Sequence, residues 1–187
     1  AARAGSARAR QTRRGAARRY RLEVDFLTAA QGGKQRLQLD GGRTVEVTVP
    51  AGAEHGSTLR LKGQGERGAP GGTSGDALVE IAIRPHPVFT RKGHDVHVEL
   101  PVSGEAVLGA SVQVPTIDGQ VRISVPPGSN SGRTLRLRGR GIARPDGQRG
   151  DQYVRLLVVL PDPPDAELEA WARRRNYNGD ETKSQGE

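Results

Sequence analysis

A nine-residue stretch occurs twice in this chain of 187 residues. It is Thr44-Val-Glu-Val-Thr-Val-Pro-Ala-Gly52 in the first copy and Gln120-Val-Arg-Ile-Ser-Val-Pro-Pro-Gly128 in the second. Both copies alternate apolar and polar residues, which is typical of a half-buried β-strand. Each then ends in proline and glycine, which fix φ and permit positive φ, respectively, and therefore favour a turn.

The similarity continues in the next segment of each copy, and corresponding residues are again 76 positions apart. Thr58-Leu-Arg-Leu-Lys-Gly-Gln-Gly65 matches Thr134-Leu-Arg-Leu-Arg-Gly-Arg-Gly141, and Gly75-Asp76 corresponds to Gly150-Asp151 one residue out of step. A repeat of this length is too long for a solenoid unit. It therefore predicts two copies of one small all-β domain. In each copy the aspartate, Asp76 or Asp151, is expected to cap a loop through a side-chain bond to a backbone N–H.

The predicted fold is all-β, with two tandem, small β-sandwich-like domains and a short C-terminal helix. Residues 20–88 form the first domain and residues 89–160 the second, because Pro85 and Pro87 interrupt the strand pattern there. Short helical turns are expected near Thr28–Gln31 and Glu105–Leu108. Residues 161–187 contain a helix, capped by Asp162 or Asp165, and then a polar tail.

The charge is concentrated at one end of the chain. The net charge is +8, and residues 1–21 contain eight arginines and no acidic residue, so the remainder is neutral. Residues 1–19 lack apolar periodicity and are predicted to be a disordered, arginine-rich segment. Such a segment can contact nucleic-acid phosphates, and the candidates are Arg10, Arg13, Arg14, Arg18 and Arg19.

Catalytic and metal-binding patterns are not supported. The chain has no cysteine, which excludes disulfides, a thiol nucleophile and cysteine-ligated zinc. Gly63-Gln-Gly-Glu-Arg-Gly68 fits a dinucleotide-binding glycine motif, but the residues that follow cannot form the helix that such a site needs. His94 and His97 are three apart in an alternating strand and so point to opposite faces. We predict a protein that is not an enzyme, with no metal and no cofactor.

The chain resembles the tandem C-terminal domains of the DnaJ/Hsp40 co-chaperones, in particular the branch of curved-DNA-binding proteins. The resemblance lies in the ordered series Gly52, Leu59–Gly65, Gly75-Asp76, Pro85-His-Pro-Val-Phe89, Asp95–Ser103, Ala106–Gly109, Val114–Thr116 and Leu135–Gly141. It covers residues from about 20 to 160. Because it has no cysteine, the chain resembles the zinc-free class of this family. The J-domain signature His-Pro-Asp finds no match, since His86-Pro87 is followed by Val88, so we expect any J-domain to precede Ala1.

This resemblance implies a depression on the first domain that binds hydrophobic segments of unfolded proteins. Carried over by position, it consists of Val24 and Phe26 on the first strand, Leu37 and Leu39 on the next, and Val79 on the strand after Asp76. The residue pattern alone leaves a second interpretation open, in which all five belong to the core. An exposed apolar patch beside a strand edge would suit an added strand from a client.

The predicted function is a cytoplasmic co-chaperone module that binds unfolded polypeptides and works with an Hsp70 partner. The alternatives are a DNA-binding, nucleoid-associated protein that uses the basic N-terminal segment, and a scaffold that docks a partner along its sheet edges. Leu168 and Trp171, three apart on the terminal helix, form one apolar stripe. This stripe either docks on its own chain or holds a homodimer together, as the family resemblance implies.

Overall fold

The computed structural model describes residues 14–175, and these are mainly β-strands. The elements are β1 (Arg18–Val24), α1 (Phe26–Gln31), β2 (Gly33–Gln38), β3 (Thr44–Val49), β4 (Thr58–Leu61), β5 (Ala77–Ile83), β6 (Thr90–Lys92), β7 (Asp95–Val102), α2 (Gly104–Leu108), β8 (Ala110–Thr116), β9 (Gly119–Val125), β10 (Thr134–Leu137), β11 (Gln152–Val158) and α3 (Ala166–Arg174). A turn of 3₁₀ helix, Asp40–Gly42, joins β2 to β3. The all-β fold and the short terminal helix are confirmed, and β1 begins two residues before the predicted domain start.

The chain divides into two compact units. Of the described residues, the first unit contains 14–98, 115–119 and 136–153, and the second contains 99–114, 120–135 and 154–175. These bounds differ from those of the sequence repeat. The predicted boundary between residues 88 and 89 therefore remains a prediction.

Within the described part of the chain the strands form four small sheets. Two of them lie in the first unit: a three-stranded sheet with the order β1-β5-β4 and a two-stranded sheet of β2 and β3. β1 runs parallel to β5, from Arg18 opposite Ala77 to Val24 opposite Ile83, and the β4–β5 and β2–β3 pairs are antiparallel. The other two sheets have the orders β10-β11-β7-β6 and β8-β9.

Each unit has an apolar core made by the alternating residues of its strands. In the first unit the inward residues of β1, β2, β3 and β5 form one cluster, which includes Leu22, Val24, Leu37, Leu39, Val47, Val49, Val79 and Ile81. In the second unit Val102, Ala106, Val125 and Leu156 form a smaller cluster. The period of two seen in the sequence is the origin of both cores, because successive side chains of a strand point to opposite faces.

The repeat is visible in one side-chain network that occurs twice. The Asp76 carboxylate accepts a hydrogen bond from the Gly63 backbone N–H at 3.0 Å and another from Arg60 Nε at 2.7 Å. Asp151 accepts the equivalent bonds from Gly139 and Arg136, at 2.8 and 2.7 Å. The sequence prediction that both aspartates cap a loop through a backbone N–H is confirmed.

Gly32, which ends α1, shows why one glycine cannot be replaced. Its φ of +79° lies where L-residues with a side chain are strained, and an added Cβ would lie 2.8 Å from the Ala51 backbone nitrogen. The chain can therefore pass from α1 into β2 at this point only without a side chain. This tight connection places α1 next to the turn that follows β3, where the cavity described below is found.

Candidate functional site

Four of the five residues predicted to bind a client lie in the core of the first unit. Val24 and Val79 have no exposed surface, and Leu37 and Leu39 are 7% and 3% exposed. Their strands turn the same face inward, so these side chains pack against one another. The core interpretation therefore agrees with the burial of these four residues, and their role in client binding stays a prediction.

The fifth residue, Phe26, is not on the predicted strand. β1 ends at Val24, and Phe26 is the first residue of α1. The Asp25 carboxylate accepts hydrogen bonds from the Thr28 backbone N–H at 2.9 Å and from the Thr28 hydroxyl at 2.7 Å, and this cap starts the helix. As a result the Phe26 ring leaves the strand register and lines an open cavity.

This cavity lies within the first unit and has a volume of about 550 Å³. Its lining is mainly apolar and contains Phe26, Ala29, Ala30, Ile83, Pro85, Phe89 and Ile142. We call it the aromatic pocket. A volume of this size is within the range of roughly 300–1,000 Å³ that ligand pockets occupy.

Three rings form one wall of the aromatic pocket. The centroids of Phe26 and Phe89 are 5.8 Å apart with the planes tilted by 21°, and His86 lies 5.8 Å from Phe26 and 4.8 Å from Phe89. These separations are those of attractive ring pairs. His86 Nδ1 also accepts hydrogen bonds from the backbone N–H groups of Val88 and Phe89, at 3.0 and 3.2 Å, which holds the turn between β5 and β6.

The polar residues of the pocket are mostly hydrogen-bond donors. His55 Nδ1 accepts a hydrogen bond from the Ile83 backbone N–H at 3.0 Å, so the proton of its neutral ring is on Nε2. Arg91 donates to the backbone oxygens of Ala53 and Gly52, at 2.6 and 3.2 Å. Glu54, which also lines the pocket, has a carboxylate oxygen 3.8 Å from the Arg91 guanidinium.

A second feature of the first unit is the free edge of β2. This strand pairs with β3, and within residues 14–175 no strand pairs with its other edge. In an antiparallel pair every second residue directs its backbone N–H and C=O away from the partner strand. The edge of β2 therefore offers unpaired backbone groups directly beside the buried Leu37.

The described arginines of the N-terminal segment are attached to the first unit. Arg14 NH2 lies 3.0 Å from Asp76, and Arg18 NH2 lies 2.6 Å from Glu66. Arg18 and Arg19 belong to β1. Residues 14–19 are therefore placed against the unit by these contacts, whereas the predicted candidates Arg10 and Arg13 lie outside the described residues.

The terminal helix α3 has the predicted cap and apolar stripe. Of the two candidate caps, Asp165 is the one used, and its side chain accepts a hydrogen bond from the Glu167 backbone N–H at 2.7 Å. No residue of α3 is buried, and Trp171 is 44% exposed. The Arg175 guanidinium lies over the Trp171 ring, 6.0 Å from its centroid.

The sequence prediction missed most of the aromatic pocket. It singled out neither His55 nor His86 as a binding residue, although Pro85-His-Pro-Val-Phe89 was part of the family resemblance. The available signal was the density of rings in a short segment that also contains two prolines. What the sequence could not supply was the approach of Phe26, which depends on the Asp25 cap.

Comparison with known proteins identifies the class of this chain. The model of the family "DnaJ C terminal domain" matches residues 18–161, which is most of the chain. The chain belongs to the DnaJ C-terminal domain family. The helices of residues 14–175 include none that is long and apolar enough to cross a membrane.

Individual relatives carry two kinds of name. The chain is 43% identical over 133 residues to the curved DNA-binding protein of Pseudomonas putida KT2440, covering 70% of this chain and 42% of that protein. It is 45% identical over 121 residues to the chaperone protein DnaJ of Clostridium kluyveri, covering 64% and 32%. It is 42% identical over 156 residues to the chaperone protein DnaJ 2 of Synechocystis sp. PCC 6803, covering 82% and 49%. The chain spans between a third and a half of the length of these relatives.

Proposed function

We propose that this chain is the client-holding part of a DnaJ-type co-chaperone, and that it binds exposed apolar segments of non-native polypeptides without chemical catalysis. The observation that carries the proposal is the free edge of β2 beside an apolar core. An extended segment adds to this edge as a further strand. Backbone hydrogen bonds provide its affinity, and they do not depend on the client's sequence.

Holding protects a client by mass action. A segment bound along β2 is withdrawn from the aggregation-prone population, and the fraction withdrawn rises with the concentration of the holder relative to its dissociation constant. We further propose that the bound client passes to an Hsp70 partner and that the protein acts in the cytoplasm. Both proposals rest on membership of the DnaJ family.

Two proline substitutions on β2 test strand addition. Gln35 and Arg36 are neighbours, so one directs its N–H toward β3 and the other toward the free edge. Proline removes the N–H in either case. The variant that loses an outward N–H should keep its thermal unfolding midpoint and lose suppression of aggregation of a chemically denatured client.

The other proline variant is the matched control, because it should weaken the β2–β3 pair and lower the unfolding midpoint. The measurements are light scattering of the aggregating client and thermal unfolding by circular dichroism. If the variant with the unchanged midpoint still suppresses aggregation as the unaltered chain does, the client does not add to β2 and the proposal fails.

We also propose that α3 joins two copies of the chain. The stripe of Leu168 and Trp171 lies on a helix that buries none of its residues in this chain. A second copy that covers this stripe would remove apolar surface from water. Two client sites would then act on one polypeptide and raise the overall affinity through their effective concentration.

Nucleic-acid binding remains the second proposal, because relatives named curved DNA-binding protein match this chain. The contacts of Arg14 and Arg18 with acidic residues compete with this role. Arg19, Arg10 and Arg13 are therefore the better candidates. Phosphate contacts of this kind predict an affinity that falls steeply with salt concentration.

A further inference from the structure

The aromatic pocket is not needed for strand addition at β2, and it has the features of a separate binding site. We propose that it binds an aromatic side chain that neighbours a carboxylate, as in a Phe-Asp or Phe-Glu pair of a client polypeptide. This inference rests on the proposed holding function and adds a side-chain preference to it. The argument uses the apolar lining, the donors around it and the difference between the two repeats.

The lining suits a flat apolar group. Phe26, Phe89 and His86 form a wall of rings whose centroids are 4.8 to 5.8 Å apart. Ile83 and Ile142 also line the pocket. Phe26 and Phe89 are 7% and 6% exposed, so a further ring gains edge-to-face or offset contacts with the part of this wall that faces the pocket.

The hydrogen-bond donors around the aromatic pocket suit an acceptor that lies next to the bound aromatic ring. Nδ1 of both His55 and His86 already accepts backbone hydrogen bonds, so the group that each neutral imidazole has left is an Nε2–H donor. Arg84 lines the same pocket with its side chain 66% exposed, and its nearest acid is Glu23 at 3.8 Å. A carboxylate is the acceptor that such donors bind most strongly.

The second repeat shows that these residues are not required by the fold. His55 corresponds to Ser131, whose hydroxyl accepts the hydrogen bond from the Val158 backbone N–H that is equivalent to the one from Ile83. A serine hydroxyl is therefore enough to accept this backbone hydrogen bond, and the second ring nitrogen of His55 is not needed for it. Arg84 corresponds to Val159, which would offer no donor.

Ala30 makes a second difference between the repeats. Gly32 and Gly109 end α1 and α2 with similar backbone angles, which aligns Ala30 with Val107. Ala30 lines the pocket and is 3% exposed, whereas Val107 is 69% exposed and so does not lie in an equivalent pocket. The first repeat thus combines a small residue, additional rings and additional donors at one place.

The test uses three fluorescein-labelled decapeptides with blocked ends and a Ser-Gly background. Their central pairs are Phe-Asp, Ala-Asp and Phe-Lys. Fluorescence polarisation with the full chain should show the tightest binding for Phe-Asp. Loss of the ring or reversal of the charge should each weaken binding by about tenfold or more, the scale of a charged hydrogen bond or a buried ring.

Two variants assign the binding to the aromatic pocket. Ala30→Leu fills the space and His55→Ser removes a donor while it keeps the structural acceptor found in the second repeat. Each should weaken Phe-Asp binding by about tenfold. The thermal unfolding midpoint of His55→Ser should stay near that of the unaltered chain, whereas that of Ala30→Leu should fall because Ala30 is buried. Val107→Leu, at the position equivalent to Ala30, is the matched control and should bind as the unaltered chain does.

The outcomes separate this inference from the holding proposal. If all three peptides bind equally, or if both variants bind Phe-Asp unchanged, the pocket inference is wrong. Should Val107→Leu weaken binding as much as Ala30→Leu, the peptide binds elsewhere and the inference again fails. The β2 proline variants should leave Phe-Asp binding intact, so failure of strand addition and failure of the pocket are seen in different experiments.

Discussion

At the scale of single residues, Asp76 is the most strongly connected carboxylate in the described chain. The Gly63 backbone N–H, followed by the Arg60 guanidinium and that of Arg14, lowers the pKa of Asp76 to about 2. All three donors stabilise the ionised form. The same arrangement lowers the pKa of Asp151, where Gly139 and Arg136 are the main donors. In each repeat, one ionised aspartate therefore stabilises the equivalent loop through its hydrogen bonds.

Asp76→Asn should lower the thermal unfolding midpoint at pH 7 by a few degrees, because an amide cannot replace the charged acceptor. Since the folded pKa lies below the unfolded value of 3.8, the stabilisation is complete above about pH 4 and is lost as the pH falls toward 2. The difference between the variant and the unaltered chain should therefore shrink over that range. Circular dichroism melts at pH 7, 4, 3 and 2 measure it.

Glu80→Gln is the control for this measurement. Glu80 is an exposed carboxylate of β5 for which no ion pair is found in residues 14–175. Its substitution should leave the midpoint nearly unchanged at every pH. A constant difference between Asp76→Asn and the unaltered chain from pH 7 to pH 2 would show that the charge of Asp76 is not the stabilising feature.

At the scale of elements, α1 and α2 occupy equivalent places in the two repeats but begin differently. Asp25 caps α1 through its side chain, whereas the Ser103 side chain makes no capping hydrogen bond to α2. The cap lowers the pKa of Asp25 through the Thr28 backbone N–H and hydroxyl. The start of α1 is thus specified more strongly, and this start decides where the Phe26 ring lies.

Asp25→Ala should lower the free energy of unfolding by about 0.5–2 kcal/mol, the usual contribution of a side-chain cap. Ser103→Ala is the matched control and should cost clearly less. Urea denaturation monitored by circular dichroism provides both values. Equal losses in the two variants would mean that the observed cap hydrogen bonds do not explain the stability of α1.

The terminal helix provides the prediction for self-association. Trp171→Ser should convert a dimer into a monomer, because it removes the largest apolar side chain of α3, which is 44% exposed in one chain and would be covered by the second copy. Sedimentation equilibrium measures the mass. Glu169→Gln, on the same helix, should leave the mass unchanged. A monomeric unaltered chain, or a dimeric Trp171→Ser variant, contradicts the proposal.

At the scale of the whole molecule, half of the net charge of +8 precedes the β-rich body, because residues 1–13 contain four arginines and no acidic residue. A truncation that removes this half without touching the body should remove residues 1–13. A cut after residue 19 would also remove Arg14 and Arg18, which contact Asp76 and Glu66, and the first two residues of β1. Such a cut would test folding rather than nucleic-acid binding.

Removal of residues 1–13 should leave suppression of client aggregation unchanged and weaken binding to a DNA duplex. The logarithm of the remaining affinity should depend less steeply on the logarithm of salt concentration, since fewer phosphates are neutralised. Electrophoretic mobility shift at three salt concentrations measures this slope. An unchanged slope would place the phosphate contacts in the body, and loss of holding would count against the β2 site.

The features of the site that the sequence predicts depend on residues close together in the chain, whereas the other features depend on contacts between residues far apart in the chain. The alternation of Leu37 and Leu39 predicted a strand, but whether its inward face is core or groove depends on what β1 and β5 bring against it. The strand position predicted for Phe26 was wrong because β1 ends at Val24 and two hydrogen bonds from Thr28 to Asp25 begin α1.

The all-β character, the tandem repeat, the capped loops at Asp76 and Asp151 and the terminal helix are predictable from the chain alone. Each depends on residues close together in the chain or on an internal copy. Three features follow only from the folded structure: the burial of Val24, Val79, Leu37 and Leu39, the contacts of Arg14 and Arg18 with acidic residues, and the aromatic pocket. These depend on contacts between residues that are dozens of positions apart, such as Phe26 with Phe89. Local periodicity predicts which face of a strand is apolar, but only tertiary packing determines what covers that face.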